Sequence, residues 1–433
     1  MKTICVIGLG YIGLPTATVL ADSGHMVIGV DVNEKAVELI NQGKIHITEP
    51  YLAEKVAAAV RDGRLRAQTV PAVADAFILA VPTPFTGGKK ADLSYVKSAA
   101  KSLLPYLRKG SLVILESTVP PRTTCDVLVP LLAQSGFKIG RDVLVAFCPE
   151  RVLPGNILKE LVTNSRVVGG INEASAAAAR ELYATFVKGE IYETDATTAE
   201  MTKLMENTYR DVNIALANEF AKIAEYAGVN IWEAIRFANK HPRVNIHQPG
   251  PGVGGHCIAV DPWFIVEKAG GRAELIEKAR QINDGMPRYV VESMKKILAG
   301  VAKPKVALLG LTYKPNVDDC RESPSLKIAE ILKQEGFTVA AYDPFVKTKG
   351  AASLSEALYE ADLAVLLVNH DDFNFLNPEK IGPLMRQRLV FDTRNALRHQ
   401  DWEAAGFKVF VLGAGQNLEW DVKNQDGTAY FAR

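Results

Sequence analysis

The chain opens with Thr3-Ile4-Cys5-Val6-Ile7-Gly8-Leu9-Gly10-Tyr11-Ile12-Gly13, runs on as Leu14-Pro15-Thr16-Ala17-Thr18-Val19-Leu20, and reaches Val27-Ile28-Gly29-Val30-Asp31. An apolar run of strand length, three glycines spaced G-x-G-x-x-G, a helical periodicity, a second apolar run and an acid make one β-α-β unit. The three glycines do different things. Gly8 allows the tight turn, Gly10 lets a pyrophosphate approach the backbone, and Gly13 lets helix and strand pack closely. Asp31 stands 18 residues after Gly13, where a carboxylate accepts from adenosine ribose hydroxyls and repels a 2′-phosphate, so the motif predicts NAD rather than NADP. The alternative, glycines that serve turn geometry alone, leaves the strand before them and the helix after them unexplained.

Further strands are expected at 76–81, 112–115 and 143–147, each running into a polar loop: Pro82-Thr83-Pro84, Glu116-Ser117-Thr118 and Cys148-Pro149-Glu150. Strands alternating with helical segments imply a parallel, doubly wound sheet that binds ligands at its carboxyl edge. Near residue 196 the pattern changes, because 197–227 holds neither Gly nor Pro over 31 residues. One helix of about 46 Å is predicted, capped by Thr197 or Thr198, with Leu204, Val212, Leu216, Phe220 and Ile223 as its apolar positions. Such a helix separates domains or builds a dimer. A glycine-dense loop at 249–255 follows, and from Lys305 the first pattern restarts: a strand to Gly310, a helix at 325–334, a strand at 338–342 ending in Asp343, and strands at 363–368 and 389–394. The expected fold is α/β, two Rossmann-like doubly wound domains joined by a central helical domain, with boundaries at 1–195, 196–300 and 301–433.

Composition bounds the function. A chain of 433 residues, 48% hydrophobic and 23% charged, is long enough for several cores, and 50 basic against 49 acidic side chains leave +1. No global field or basic run draws nucleic acid or an anionic membrane. No apolar run has the length of a membrane span, and the chain starts directly in a strand, so a cytoplasmic protein is expected. Five scattered cysteines with no Cys-x-x-Cys pair argue against a disulfide framework and a zinc site, and no metal is expected.

The remaining chemistry lies in loops and on one helix face. Cys257 sits in Gly252-Val253-Gly254-Gly255-His256-Cys257-Ile258-Ala259-Val260-Asp261, where glycines leave little steric cover over a thiol. Beside an NAD motif it reads as a nucleophile, with His256 or Asp261 as base, whereas Cys5 reads as inert within a strand. Lys203, Asn207 and Arg210 fall at i, i+4 and i+7 on one face, either a solvated stripe or a group that steadies an oxyanion and binds a ligand. Glu150 either activates water or caps a turn. Gly310-Leu311-Thr312 lacks the dinucleotide fingerprint, and Tyr313, Lys314 and Arg321 beside it are either a diphosphate site or solvated cations.

Taken together, Gly8 to Pro15, Cys148-Pro149-Glu150-Arg151-Val152, Glu206-Asn207, Gly254-Gly255-His256-Cys257, and Tyr313-Lys314-Pro315-Asn316 with Asp318-Asp319 and Arg321-Glu322-Ser323-Pro324 resemble the UDP-glucose/GDP-mannose dehydrogenase family over nearly the whole chain. A narrower likeness, over 210–215, 241–245 and 252–263, is to the members that act on UDP-N-acetyl-D-mannosamine. The resemblance implies a homodimer or higher homo-oligomer formed through the central helices, and four-electron oxidation of a UDP-sugar: the C6 alcohol gives a hydride to NAD, Cys257 captures the aldehyde as a thiohemiacetal, a second hydride leaves, and the thioester is hydrolysed. It also implies roles. Lys203 and Asn207 would serve the oxygen at C6, with Asp261 and Glu150 handling protons and water. Tyr11, Ile12, Asp31, Thr83, Thr118 and Arg321 would contact NAD. Arg151, Val152, Arg210, His241, Arg243, Gly254, Tyr313, Lys314 and Arg394 would surround the UDP-sugar, some of them from a neighbouring subunit. Members acting on UDP-glucose carry a second Glu where this chain has Pro154 and a Lys where it has Val260. Both departures point away from UDP-glucose and leave Glu150 without its usual companion.

Overall fold

The computed structural model describes residues 1–346 and 353–415, so the end of the third expected domain, past 415, lies outside the described residues. The chain divides into two compact units, Met1–Asn207 with Trp263–Arg272, and Thr208–Pro262 with Ala273 onward.

In the first unit the opening motif forms β1 (Thr3–Ile7), the helix Gly13–Asp22 and β2 (Met26–Val30). Then come β3 (Leu65–Gln68), β4 (Ala76–Leu79), β5 (Leu112–Leu115), β6 (Leu144–Phe147), β7 (Arg166–Gly170) and β8 (Ile191–Asp195). The sheet order is β3-β2-β1-β4-β5-β6-β7-β8, whose first six places follow the dinucleotide-binding order with its switch point between β1 and β4. The central strands are buried on both faces, because alternate side chains enter opposite cores: Ile4, Val6, Ile78 and Ile114 on one side, Cys5, Ile7, Phe77 and Leu115 on the other. Sequence reading missed β3, β7 and β8, and its uniformly parallel sheet needs correction: β7 runs antiparallel to β6, with Phe147 opposite Gly169 and Ala146 opposite Gly170. After β6 the chain carries only the short helix Ile157–Thr163 before returning, which reverses direction at the carboxyl edge instead of crossing back to the other end.

The long helix spans Ala196–Ala227, one residue beyond its expected start. Its cap is Asp195 rather than a threonine: the Asp195 carboxylate accepts from Thr198 N at 3.0 Å and Thr198 Oγ1 at 2.5 Å, satisfying an N–H that the first helical turn leaves unpaired. The second unit holds helices Ile231–Ala238 and Glu274–Ile297. Among the described residues its strands are β9 (Lys305–Leu309), β10 (Thr338–Tyr342), β11 (Leu363–Leu366), β12 (Leu389–Asp392) and β13 (Lys408–Val411). They are parallel in the order β10-β9-β11-β12-β13, the other common doubly wound arrangement. No helix among the described residues is long and apolar enough to cross a membrane.

Candidate functional site

At the switch point of the first sheet, Gly8 has φ +91°, and a Cβ there would meet the Ala80 carbonyl, while a Cβ on Gly13 would collide with the Gly8 carbonyl. Gly10 has open space on its Cβ side. The helix Gly13–Asp22 begins at Ile12 with no side-chain cap and no acid in its first turn, which leaves its amide groups and dipole to an anion. Asp31 Oδ2 accepts from Leu9 N at 2.8 Å and Oδ1 from Asn33 N at 2.9 Å, so the carboxylate is fixed beside the glycine turn. These features fit a dinucleotide. Thr83 and Thr118 come together across the next two strand ends, Thr83 Oγ1 donating to the Thr118 carbonyl at 2.6 Å.

The loop after β6 carries Glu150, Arg151 and Val152. Glu150 Oε1 accepts from Arg151 N at 2.8 Å, and its Oε2 pairs with Arg166 Nη2 at 2.8 Å. Arg151 Nη1 meets Glu206 at 2.8 Å, tying this loop to the turn of the long helix that carries Lys203 and Asn207. Along that helix Lys203 is half-buried, Asn207 buried and Arg210 exposed. Glu200, also buried, accepts from Arg122 N, Thr124 N and Thr124 Oγ1 at 2.6–2.7 Å, which pins the start of the helix to the segment after β5.

In the second unit Cys257 is half-buried, with its Sγ 3.1 Å from His256 Nδ1. The Cys257 carbonyl accepts from Val260 N and Asp261 N at 3.0 and 2.8 Å, and buried Asp261 opens the helix Asp261–Ala269. The Tyr313 ring lies against Gly255 and its Cβ against Gly254; a Cβ on either glycine would strike that side chain. Burial pushes the Tyr313 hydroxyl above its ordinary value, and Asp319 and Cys257 push it the same way. Gly255 N donates to the Arg321 carbonyl at 3.0 Å, and the Arg321 guanidinium grips Asp319 through Nε at 3.0 Å and Nη2 at 2.7 Å. Burial alone would raise the Asp319 carboxyl, but these bonds hold it below the usual range. The Arg394 guanidinium sits where a Cβ of Gly250 would be, Nε 3.4 Å from Asn369 Oδ1. Lys314 Nζ stands 5.8 Å from the Tyr313 ring centre. His241 and Arg243 are exposed past the helix Ile231–Ala238.

The second sheet repeats the turn but engages its acid with more internal donors. Gly310 has φ +96° and abuts Val368, as Gly8 abuts Ala80. Asp343 stands where Asp31 stands in the first sheet, yet its Oδ2 accepts from Leu311 N at 2.6 Å, Thr312 N at 3.2 Å and His370 Nε2 at 3.1 Å, and its Oδ1 from Phe345 N at 2.8 Å. That carboxylate is consumed internally.

Several residues escaped sequence reading. Arg166, Glu116 and Tyr183 are fully buried behind Glu150, and Glu116 occupies what looked like a polar loop. The signal that could have found them is a charge bordering an apolar run: Arg166 directly precedes Val167-Val168, and Glu116 directly follows Leu112 to Leu115.

Residues 2–187 match the NAD binding domain of the UDP-glucose/GDP-mannose dehydrogenase family, 197–285 its central domain and 307–399 its UDP binding domain. The chain is 54% identical over 424 residues to UDP-N-acetyl-D-mannosamine dehydrogenase of Methanocaldococcus jannaschii, covering 96% of this chain and 97% of that protein. It is 50% identical over 408 residues to NDP-N-acetyl-D-galactosaminuronic acid dehydrogenase of Ralstonia nicotianae, 91% of this chain and 96% of the other. A solved structure of UDP-D-ManNAc dehydrogenase from Pyrococcus horikoshii superposes with a TM-score of 0.89 at 43% identity, covering 96% of this chain and all of that one.

Proposed function

The chain belongs to the UDP-glucose/GDP-mannose dehydrogenase family, and from that premise we propose that it oxidises C6 of UDP-N-acetyl-D-mannosamine to the uronate, a precursor for surface polysaccharide. The observation that carries this reading is the thiol of Cys257 on its glycine turn, with His256 Nδ1 at 3.1 Å to take its proton. The choice of sugar rests on the likeness to the Methanocaldococcus jannaschii protein.

Gly8 to Gly13 with Tyr11, Ile12, Asp31, Thr83, Thr118 and Arg321 would hold NAD, which would supply the hydride acceptor for each of the two oxidations at C6. Lys203 and Asn207, one helical turn apart, hold the C6 oxygen, Lys203 takes and returns its proton, and Asp261 also handles protons. Cys257 Sγ bonds to the aldehyde carbon, retaining it for the second hydride loss that leaves a thioester. Glu150 takes a proton from water as its oxygen bonds to that carbon and the C–S bond breaks, returning the electron pair to sulfur. Arg394, Lys314, Tyr313, Arg210, His241, Arg243 and Gly254 bind the UDP-sugar along with Arg151 and Val152, some of them from a neighbouring subunit. The domain boundaries we assign are 195 and 300. Free cysteines at all five positions suit a reducing cytoplasm.

The test is NADH formed per sugar consumed, over UDP-N-acetylmannosamine, UDP-N-acetylglucosamine, UDP-N-acetylgalactosamine and UDP-glucose. Two NADH from the mannosamine sugar, with the others slow, is the expected result, and Cys257→Ala lowers it by about a thousandfold or more. The likeness to the Ralstonia nicotianae protein favours a second reading, in which two NADH come from the galactosamine sugar. Full turnover by Cys257→Ala would sink the covalent route.

A further inference from the structure

Behind Glu150 lies a buried polar cluster that the catalytic steps above do not use. β7 enters it in reverse, so that its first residue, Arg166, stands at the sheet's carboxyl edge; continuing the antiparallel register outward from Phe147 opposite Gly169 sets Arg166 opposite Glu150. The Arg166 guanidinium is buried and surrounded: Nη2 pairs with Glu150 at 2.8 Å, Nη1 lies 3.7 Å from Cys148 Sγ, and its carbon lies 4.8 Å from the Tyr183 ring centre. Beyond Tyr183 is Glu116, at the end of β5. Glu116 Oε1 accepts from the Tyr183 hydroxyl at 2.5 Å, and Oε2 has no hydrogen-bond partner among the described residues, with the Thr16 hydroxyl nearby.

Glu150 is therefore bonded to the buried guanidinium directly, and Glu116 stands one Tyr183 side chain away from it. Only one negative charge is balanced there, and a second must be carried against both burial and the first. We propose that Glu116 is a positioning residue for Glu150: by competing for the charge of Arg166 when ionised, it decides how readily Glu150 accepts the proton of the water that frees the uronate from Cys257. This rests on the hydrolytic role given to Glu150 above.

The groups facing Glu116 fix the sign. Burial raises its carboxyl to about 7, Arg166 opposes that, Glu150 adds to it, and Tyr183 and Thr16 lower it. Burial holds Cys148, the remaining titratable neighbour, up at about 11 and therefore neutral. Below neutrality Glu116 is protonated and the Arg166 guanidinium serves Glu150 alone. Above neutrality Glu116 ionises and draws on the same Arg166 charge that Glu150 uses.

Glu116→Gln fixes the neutral state at nearly constant shape. The expected result is kcat equal to the parent at about pH 6 but roughly tenfold lower near pH 8.5, with KM unchanged and acyl-Cys257 accumulating in quenched samples by intact mass. Glu116→Asp restores part of the alkaline limb. Profiles that superimpose, or a loss equal at every pH, overturn the proposal. A second arm is independent of turnover: in protein carrying carboxyl-labelled glutamate, one NMR resonance titrates near neutrality, vanishes in Glu116→Gln and moves to lower pH in Glu150→Gln. If it fails to move, the coupling is wrong even in an active enzyme. If it moves but no uronate forms, the reading of the reaction has failed and the coupling stands.

Discussion

Gly10 and Gly13 are three residues apart in one motif, yet they respond to opposite demands. A methyl group on Gly13 would occupy the Gly8 carbonyl, a backbone atom that no rotamer change can move, whereas one on Gly10 meets nothing within 4 Å. Gly13→Ala should therefore act through folding, costing about 2–4 kcal/mol by forced separation of helix and strand. Gly10→Ala should leave the melting temperature within about 2 °C and weaken NAD by roughly tenfold or more, because the added methyl faces the space left for a pyrophosphate. Thermal melts beside NAD titrations separate the two. Equal loss of stability in both variants would mean that the motif serves turn geometry alone.

At the scale of elements, the long helix is bound to the helix Glu274–Ile297 by a buried polar chain. Arg280 Nη1 meets Asp211 Oδ1 at 2.5 Å, Asn283 Nδ2 meets the same oxygen at 2.8 Å, and Asn218 joins Asn283 at 2.9 Å and Gly250 N at 2.9 Å. Burial holds the Asp211 carboxyl above its ordinary value despite Arg280. Arg280→Ala leaves that acid without its cation, at a cost of about 3–5 kcal/mol by urea unfolding. A carboxyl whose folded pKa is raised costs stability once the pH exceeds its unfolded value, so the loss should be larger at about pH 8 than at pH 5. Asp211→Asn added to Arg280→Ala should flatten that dependence. Neither residue was visible in the sequence, for a reason that also explains β7: burial of a charge depends on a partner 69 positions away, and strand direction depends on where a connection ends. What was legible was local. β1, the glycine turn, Asp31, the strand Thr338–Tyr342 and the uninterrupted helix each declare themselves within one short window, and so did Cys257, through the glycines around it. Glu116 and Arg166 look like loop and surface residues until the fold closes over them.

For the whole molecule, the decisive feature is a helix that is apolar where it has no cover. Asp211, Ala215, Asn218, Ala221 and Glu225 are buried on one side of the long helix, yet Tyr209, Leu216, Ile223 and Tyr226 on the other are 62, 42, 55 and 65% exposed. Spacings of seven, seven and three residues align these four in one stripe about five turns long. Water against such a stripe is costly, and a net charge of +1 offers little repulsion between copies, so a second copy presenting the same stripe is the simplest cover. A symmetric contact repeats every substitution on both sides. Leu216→Glu with Ile223→Glu would set four carboxylates into one apolar contact, a penalty of several kcal/mol. Light scattering should then report half the mass of the parent, with far-ultraviolet circular dichroism unchanged, since both side chains are exposed within one chain. With part of the proposed sugar site drawn from a neighbouring subunit, the dissociated variant should also lose turnover while still binding NAD, and raising the protein concentration should restore both mass and rate together. A parent that is already monomeric would mean that no second copy covers the stripe, and a variant that keeps its mass would place the contact elsewhere.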